Sequence, residues 1–349
     1  MKNVGIIGVG KIGRTIAAFL NKKPEIFKVH LADINPWDKD ESIVEIDASD
    51  MNECKRFIGG KDIIITSTTH DVNINIAKSC AELGVAYFDL TEDTEVSEYI
   101  KNLDTKTFMM PQCGLAPGAV NIVAANLISQ FEEPHKVKMR VGALPKYPTN
   151  AMSYYLTWST DGLLNEYINY CDVISHYDHI KAHPLDGMES IYIDGNRYEA
   201  FNTSGGSASM CETYKGKVRT LSYKTIRYPG HCDKMKFLLE DLNLKHNKQK
   251  FIELFDQEVP YTTADVVVML VSVIGKKDGK LQEVTYSNKI YGDADYSAIQ
   301  RATASGVCSV ALAYAEGKLT GTGYIKQEDI PYQDFITNLY GEIYNGKRT

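Results

Sequence analysis

At 349 residues the chain exceeds what one hydrophobic core comfortably organises, and it suits two domains. A composition of 44% hydrophobic and 24% charged residues is ordinary for a globular protein, and a net charge of −7 argues against nucleic acid as the main partner. The longest apolar stretch, 266–274, is too short to span a membrane, the first strand starts too near Met1 for a signal peptide, and seven cysteines without a CxxC pair argue against a disulfide scaffold or zinc knuckle. A cytoplasmic setting is therefore expected.

The opening residues are the most informative. An apolar run over 4–7 leads into Gly8, Val9, Gly10, Lys11, Ile12 and Gly13, an apolar-periodic helix follows to about Leu20, and a second apolar run delivers Asp33. This is a complete βαβ dinucleotide unit. Gly8 permits the turn out of the strand, Gly10 leaves room for a pyrophosphate, and Gly13 lets helix and sheet approach. The helix start offers unpaired N–H groups to phosphate. Asp33 would accept hydrogen bonds from ribose hydroxyls and repel a 2′-phosphate, which points to NAD rather than NADP.

After a polar stretch with Pro36 and Trp37, a third strand over 43–46 ends at Asp47 and Ala48. These residues either contact the adenine or form a surface turn. A helix is predicted over 52–58 and a buried strand over 62–65. That strand empties into Thr66, Ser67, Thr68, Thr69, His70 and Asp71, whose hydroxyls either face the ribose and pyrophosphate or cap the helix over 73–84. A fifth strand, 85–88, is followed by Asp89, a candidate to bind or orient a substrate ammonium or simply a helix cap. A helix over 92–103 and a sixth strand over 107–110 lead to Cys113, Gly114 and Leu115. Pro117 suits the first turn of a helix reaching about Ser129. This elbow would set Cys113 and the following N–H groups near a nicotinamide, with Cys113 either a proton-transfer partner or a space-filling thiol.

From about residue 134 the pattern changes to alternation. Strands are predicted over 136–142, 190–193, 217–223, 266–274 and 280–290, the last two joined by a Lys-Lys-Asp-Gly hairpin turn, with helices over 161–171 and 231–239. The fold class is therefore α/β, a Rossmann doubly wound parallel sheet with a second α+β domain containing a mixed or antiparallel sheet. The expected domains are 1–133 for the dinucleotide, 134–295 for substrate, and 296–349 as helices returning to the first domain. His176, His179 and His183 have helical spacing, but no regular apolar face or HExxH pattern supports a metal.

Two polar blocks stand out in the second domain. One carries Asn202, Thr203 and Ser204 before a double glycine, and the other carries Arg227 and His231. Arg227 offers a fork for a substrate carboxylate, or else a surface ion pair. His231 opens a helix and is either catalytic or satisfied by backbone.

These motifs, GVGKIG, CGLAPGAVNIVAANL, EAFNTSGG and YKTIRYPGHCDKMKFLL, together resemble the saccharopine dehydrogenase and lysine 6-dehydrogenase superfamily over nearly the whole chain. The resemblance implies a Rossmann domain paired with a substrate domain that commonly dimerises, so a homodimer is expected. It also implies that residues 8–13 and Asp33 hold the cofactor, that 113–118 faces the nicotinamide, and that the Arg227 block faces an amino-acid substrate. The reaction it implies is oxidation of an amine to an imine by hydride transfer to NAD, then hydrolysis, with a base keeping the amine neutral. The compact plan favours free lysine losing its ε-amino group. Saccharopine and carboxynorspermidine are the alternative substrates. A redox-inactive dinucleotide-binding scaffold is a further alternative that the dense polar blocks disfavour, and a zinc alcohol dehydrogenase relative lacks the metal spacing.

Overall fold

A computed structural model describes residues 1–35, 42–68 and 70–349, with the side chains of His70 and Asp71 also left aside. Pro36, Trp37 and Thr69 lie outside the described residues. The chain divides into two compact units, Met1–Ile122 with Ala302–Asn345, and Val123–Arg301 with Gly346–Thr349.

The first unit alternates strand and helix: β1 (Lys2–Ile7), α1 (Lys11–Leu20), β2 (Phe27–Asp33), β3 (Ile43–Glu45), α2 (Met51–Ile58), β4 (Ile63–Thr66), α3 (His70–Leu83), β5 (Ala86–Asp89), α4 (Thr94–Lys101) and β6 (Phe108–Met110). The strands are all parallel in the order β6-β5-β4-β1-β2-β3, so the winding reverses between β1 and β4. That crevice is where open α/β sheets bind ligands. Three consecutive isoleucines in β4, all fully buried, show why the strand reads as continuous apolar sequence: both its faces are covered. The helix expected from Pro117 instead starts two residues later as α5 (Ala119–Ile128), because 114–118 folds as a tight turn with a cis Ala116–Pro117 bond and Gly118 at φ +131°.

The second unit contains β7 (Glu133–Pro145), α6 (Thr160–Ile168), β8 (Cys171–Ser175), β9 (Asp178–Ala182), β10 (Glu189–Ile193), β11 (Asn196–Asn202), α7 (Met210–Tyr214), β12 (Thr220–Arg227), α8 (His231–Lys236), α9 (Lys248–Glu258), β13 (Asp265–Lys277) and β14 (Lys280–Tyr291). The main path is β10-β11-β12-β7-β13-β14, with β12 and β7 parallel and the other neighbours antiparallel. Asp278 and Gly279, both at positive φ, make the two-residue hairpin turn read from the sequence. The helix expected to reach Cys171 stops at Ile168. Residues 171–182 form a β-hairpin turning at His176 and Tyr177, so the three histidines do not share a helix face. His179 instead pairs with Asp172 at 2.5 Å.

The last part of the chain serves both units. Helix α10 (Ala298–Ala315) contains one unit boundary, α5 contains a second, and a third follows Asn345; of the domain boundaries expected, the one after 133 falls at the start of β7 and the one after 295 in the stretch before α10. In the first unit β15 (Gly323–Tyr324) adds a seventh parallel strand beside β6, followed by α11 (Tyr332–Ile336). The final residues, expected with the first domain, form β16 (Lys347–Arg348) on β14, where an edge strand offers free ladder positions.

Candidate active site

In the first unit, the glycine loop has the form that dinucleotide binding requires. Gly8 sits at φ +91°, and a Cβ there would lie 2.8 Å from the Ser67 backbone; a Cβ on Gly13 would overlap the Gly8 carbonyl oxygen. A Cβ on Gly10 would meet nothing within 4 Å. Two of the glycines are therefore demanded by the protein's own packing, whereas Gly10 is demanded by nothing among the described residues. Gly10 is also the N-cap of α1 and gives no side-chain bond, so no cap side chain stands where a phosphate would approach the helix start. Lys11 is exposed, Ile12 half-buried and Val9 buried.

Asp33 ends β2 beside this loop. Its carboxylate accepts from Val9 N–H at 2.6 Å and from Asn35 N–H at 2.9 Å, tying the strand end to the turn and leaving lone pairs for ribose hydroxyls. The polar loop after β4 works largely as the floor of the turn. Ser67 Oγ donates to the Gly8 carbonyl at 2.6 Å, and Thr68 Oγ1 donates to Asn73 Oδ1 at 2.9 Å. Asp47 accepts from the Ser49 N–H and hydroxyl, which hold its carboxyl below the usual range, and the buried Ala48 carbonyl accepts from Cys54. Both residues lie in the turn between β3 and α2.

Asp89 and Cys113 come together. Asp89 is fully buried; its Oδ1 accepts from Gln112 and Thr91 N–H and its Oδ2 from the Tyr87 hydroxyl, while its carbonyl accepts from Cys113 N–H. Burial pushes the carboxyl up to about 6 despite those donors. Cys113 Sγ donates to the Met110 carbonyl at 3.1 Å, and burial drives the thiol far upward, so it is protonated and accepts no proton. These are the surroundings of a space-filling thiol. Gly114 and Leu115 give their carbonyls to the first turns of α5, and a Cβ on Gly306 of α10 would overlap the Gly114 oxygen.

In the second unit, the two polar blocks meet across paired strands, with Asn202 opposite Lys224 and Glu199 opposite Arg227. Arg227 is buried, not on the surface. Its Nε donates to the Tyr167 hydroxyl at 2.9 Å and its Nη1 to the Ile226 carbonyl at 3.0 Å, with the Tyr154 and Tyr167 rings 5.2 and 5.8 Å from its guanidinium carbon. The Tyr167 hydroxyl also lies 3.1 Å from His231 Nε2, and His231 Nδ1 lies 3.2 Å from the Met152 carbonyl. The network assigns the imidazole proton to Nδ1, with Tyr167 donating to Nε2. Burial, then the Arg227 charge, lowers His231 to about 3. Both ring nitrogens are thus committed, and the Tyr167 hydroxyl links the imidazole to Arg227. Glu199 fixes the loop, accepting from Gly230 and Cys232 N–H on either side of His231.

Thr203 Oγ1 pairs with Thr225 Oγ1 at 2.7 Å, and Ser204 N–H and Oγ bond to the Glu166 and Asn165 carbonyls. Asn202 Nδ2 reaches the His183 carbonyl at 3.5 Å. Sequence reading missed Tyr154, Glu166 and Tyr167. One signal was present: Glu166 falls in the buried stripe of α6 with Leu163, Leu164 and Tyr167, where an apolar residue is expected.

A doubly wound parallel sheet with this loop, joined in one chain to a mixed-sheet unit holding a buried arginine, defines a two-domain dinucleotide-binding oxidoreductase. The chain belongs to the saccharopine dehydrogenase family, since the family's NADP binding domain matches residues 4–111 and its C-terminal domain matches residues 114–344. It is similar in structure to saccharopine dehydrogenase (L-Glu forming) from Saccharomyces cerevisiae, with TM-score 0.80 and 15% identity over 100% of this chain and 99% of that one. It also resembles homospermidine synthase from Legionella pneumophila in complex with NAD (TM-score 0.68, 13% identity, 99% and 90% covered). A third likeness is to C. glutamicum DAP dehydrogenase in complex with DAP (0.52, 11%, 98% of each). At these identities the likenesses speak for the fold. Because the first match spans 99% of the yeast chain, size does not separate this chain from saccharopine enzymes, as its compact plan had suggested.

Proposed function

We propose that the chain is an NAD-dependent dehydrogenase acting on the CH–NH group of an amino acid, with free L-lysine as substrate and its ε-amine carbon as the reacting centre. The observation that carries this reading is Arg227, a buried guanidinium aimed by Tyr167 and His231 in a family of amino-acid dehydrogenases. One such fork suits one carboxylate. Lysine brings one, whereas saccharopine brings three, and the other buried arginine of this unit, Arg140, is bound to Glu189 at 2.6 Å.

Residues 8–13 and Asp33 would hold the dinucleotide, with Asp33 favouring an unphosphorylated ribose. The bound nicotinamide supplies the hydride acceptor. Arg227 holds the substrate carboxylate, and the amine must lose its proton before hydride leaves the adjacent carbon. Of the three groups singled out in the sequence, Asp89 lies nearest neutrality, at about 6, but its oxygens already accept from Gln112, Thr91 and Tyr87, so the base is assigned to none of them. Water then adds to the imine, releasing ammonia and an aldehyde. Seven buried free cysteines suit a reducing compartment, and a homodimer is part of this reading. No helix among the described residues is long and apolar enough to cross a membrane.

The test is absorbance at about 340 nm, where reduced nicotinamide absorbs, with NAD and a panel of lysine, saccharopine, ornithine and carboxynorspermidine. Reduction with lysine and ammonia release are expected. Turnover with saccharopine alone, or silence across the panel, would overturn the substrate assignment.

A further inference from the structure

Glu166 is an acid in an apolar place. It is 8% exposed, within the buried stripe of α6, and its Oε2 is fully buried with no hydrogen-bond partner among the described residues. An unpartnered buried carboxylate oxygen is costly, so its retention calls for a partner that arrives from outside.

Its neighbours say what kind. The Arg227 charge acts on Glu166, yet no ion pair within 4.0 Å joins the two among the described residues. The guanidinium is anchored elsewhere, by Tyr167 and the Ile226 carbonyl, which among the described residues leaves Nη2 for another acceptor. A cation and an anion held near one another but apart, in a buried setting, match a ligand that carries the opposite pair of charges on adjacent atoms. The second polar block supports the same place. Ser204 N–H bonds the Glu166 carbonyl, and Thr203 bonds Thr225, whose hydroxyl stabilises the Glu166 carboxylate.

We infer that Glu166 receives the α-ammonium of the amino acid whose α-carboxylate is held by Arg227, so that the pair reads the zwitterionic head of the substrate. This rests on the substrate side proposed above and sharpens it: the site selects α-amino acids over amines and over ω-amino acids. Asp89, whose oxygens are already occupied by Gln112, Thr91 and Tyr87, is then not needed for the α-ammonium.

The experiment is calorimetric binding of L-lysine, 6-aminohexanoate and cadaverine to the full chain with NADH, for the wild type and Glu166→Gln. 6-Aminohexanoate lacks only the α-amine, and cadaverine lacks the carboxylate. The wild type should prefer lysine to 6-aminohexanoate by about 30-fold or more, the scale of one buried charge-assisted contact. In Glu166→Gln this ratio should collapse towards unity through loss of lysine affinity, with 6-aminohexanoate little changed. A purely structural role would weaken all three ligands together. An unaltered ratio in the variant, no preference in the wild type, or no binding of lysine would each overturn the assignment. Lysine binding with the expected ratio but no NADH formed from NAD would refute the proposed oxidation and leave the role of Glu166 standing.

Discussion

The two sites are built from different materials. The dinucleotide cradle of the first unit is a backbone site, where three glycines, a helix start and one carboxylate do the work within a short stretch of chain. The second-unit site is made of side chains, with Tyr154, Glu166, Tyr167, Arg227 and His231 drawn from a loop, a helix, a strand and the start of another helix. A backbone site tolerates little variation in shape and much in side-chain type, whereas a buried side-chain network tolerates neither charge loss nor displacement.

The sharpest way to break this contrast is the glycine pair. Gly13→Ala forces a Cβ onto the Gly8 carbonyl and should cost about 3 kcal/mol of stability, at the upper end of overpacking penalties, together with dinucleotide binding. Gly10→Ala meets no atom of the described residues, so its Tm should stay within about 1 °C while dinucleotide affinity falls about 10-fold or more. Equal Tm losses in the two variants, by thermal melts beside NAD titration, would contradict the assignment of Gly10 to the ligand.

Arg227→Lys keeps the charge and loses the fork. Substrate KM should rise about 100-fold, equivalent to roughly 2.7 kcal/mol, with the Kd for NAD unchanged, because the arginine belongs to the second site. A parallel loss of NAD affinity would merge the two sites. Asp33→Ala should weaken NAD by about 10- to 30-fold, partly through the freed Val9 and Asn35 N–H groups, and NADP much less. An unchanged strong preference for NAD would refute the role of Asp33.

The smallest effect is a slope. His231, at about 3 in the fold, remains neutral while the unfolded imidazole protonates below its ordinary 6.5, so its contribution is present above 6.5 and is lost as pH falls towards 3. Burial raises Glu166 to about 7, so between about 7 and 4.5 it is neutral in the fold while the unfolded carboxyl is still ionised, and acidification across that window adds stability. The two oppose each other beside Arg227, Tyr154 and Tyr167. Glu166→Gln should therefore lose stability on acidification from pH 6.5 to 4.5 more steeply than the wild type, by about 1.4 kcal/mol per pH unit. Identical slopes in denaturant titrations would contradict the buried placement of Glu166.

The first site was legible because its signals are local. A strand, a glycine spacing, a helix period and an acid at the next strand end are all read within residues 4–33. Arg227 and the block at 202–204 were legible as chemistry but not as geometry. Their meeting depends on antiparallel pairing of β11 with β12, which no local pattern encodes. Glu166 and Tyr167 were hidden inside an ordinary amphipathic helix, and the residues around His176 imitated helical spacing while two positive-φ positions turned them into a hairpin. His231 was visible, but its two committed nitrogens and its neutrality follow from burial against Arg227 and contact with Met152, whose carbonyl lies 79 residues away in sequence. Pro117 fitted a helix start by type, yet the turn closed by Gly118 delayed the helix to Ala119.

The central claim is hydride loss from the ε-carbon of lysine to NAD. Incubating the protein with NAD and lysine deuterated at that carbon, then weighing the reduced dinucleotide by mass spectrometry, tests it without an assumption about downstream products. Deuterated NADH with stoichiometric ammonia is the expected result, and NADH without deuterium, or none formed, would contradict the claim.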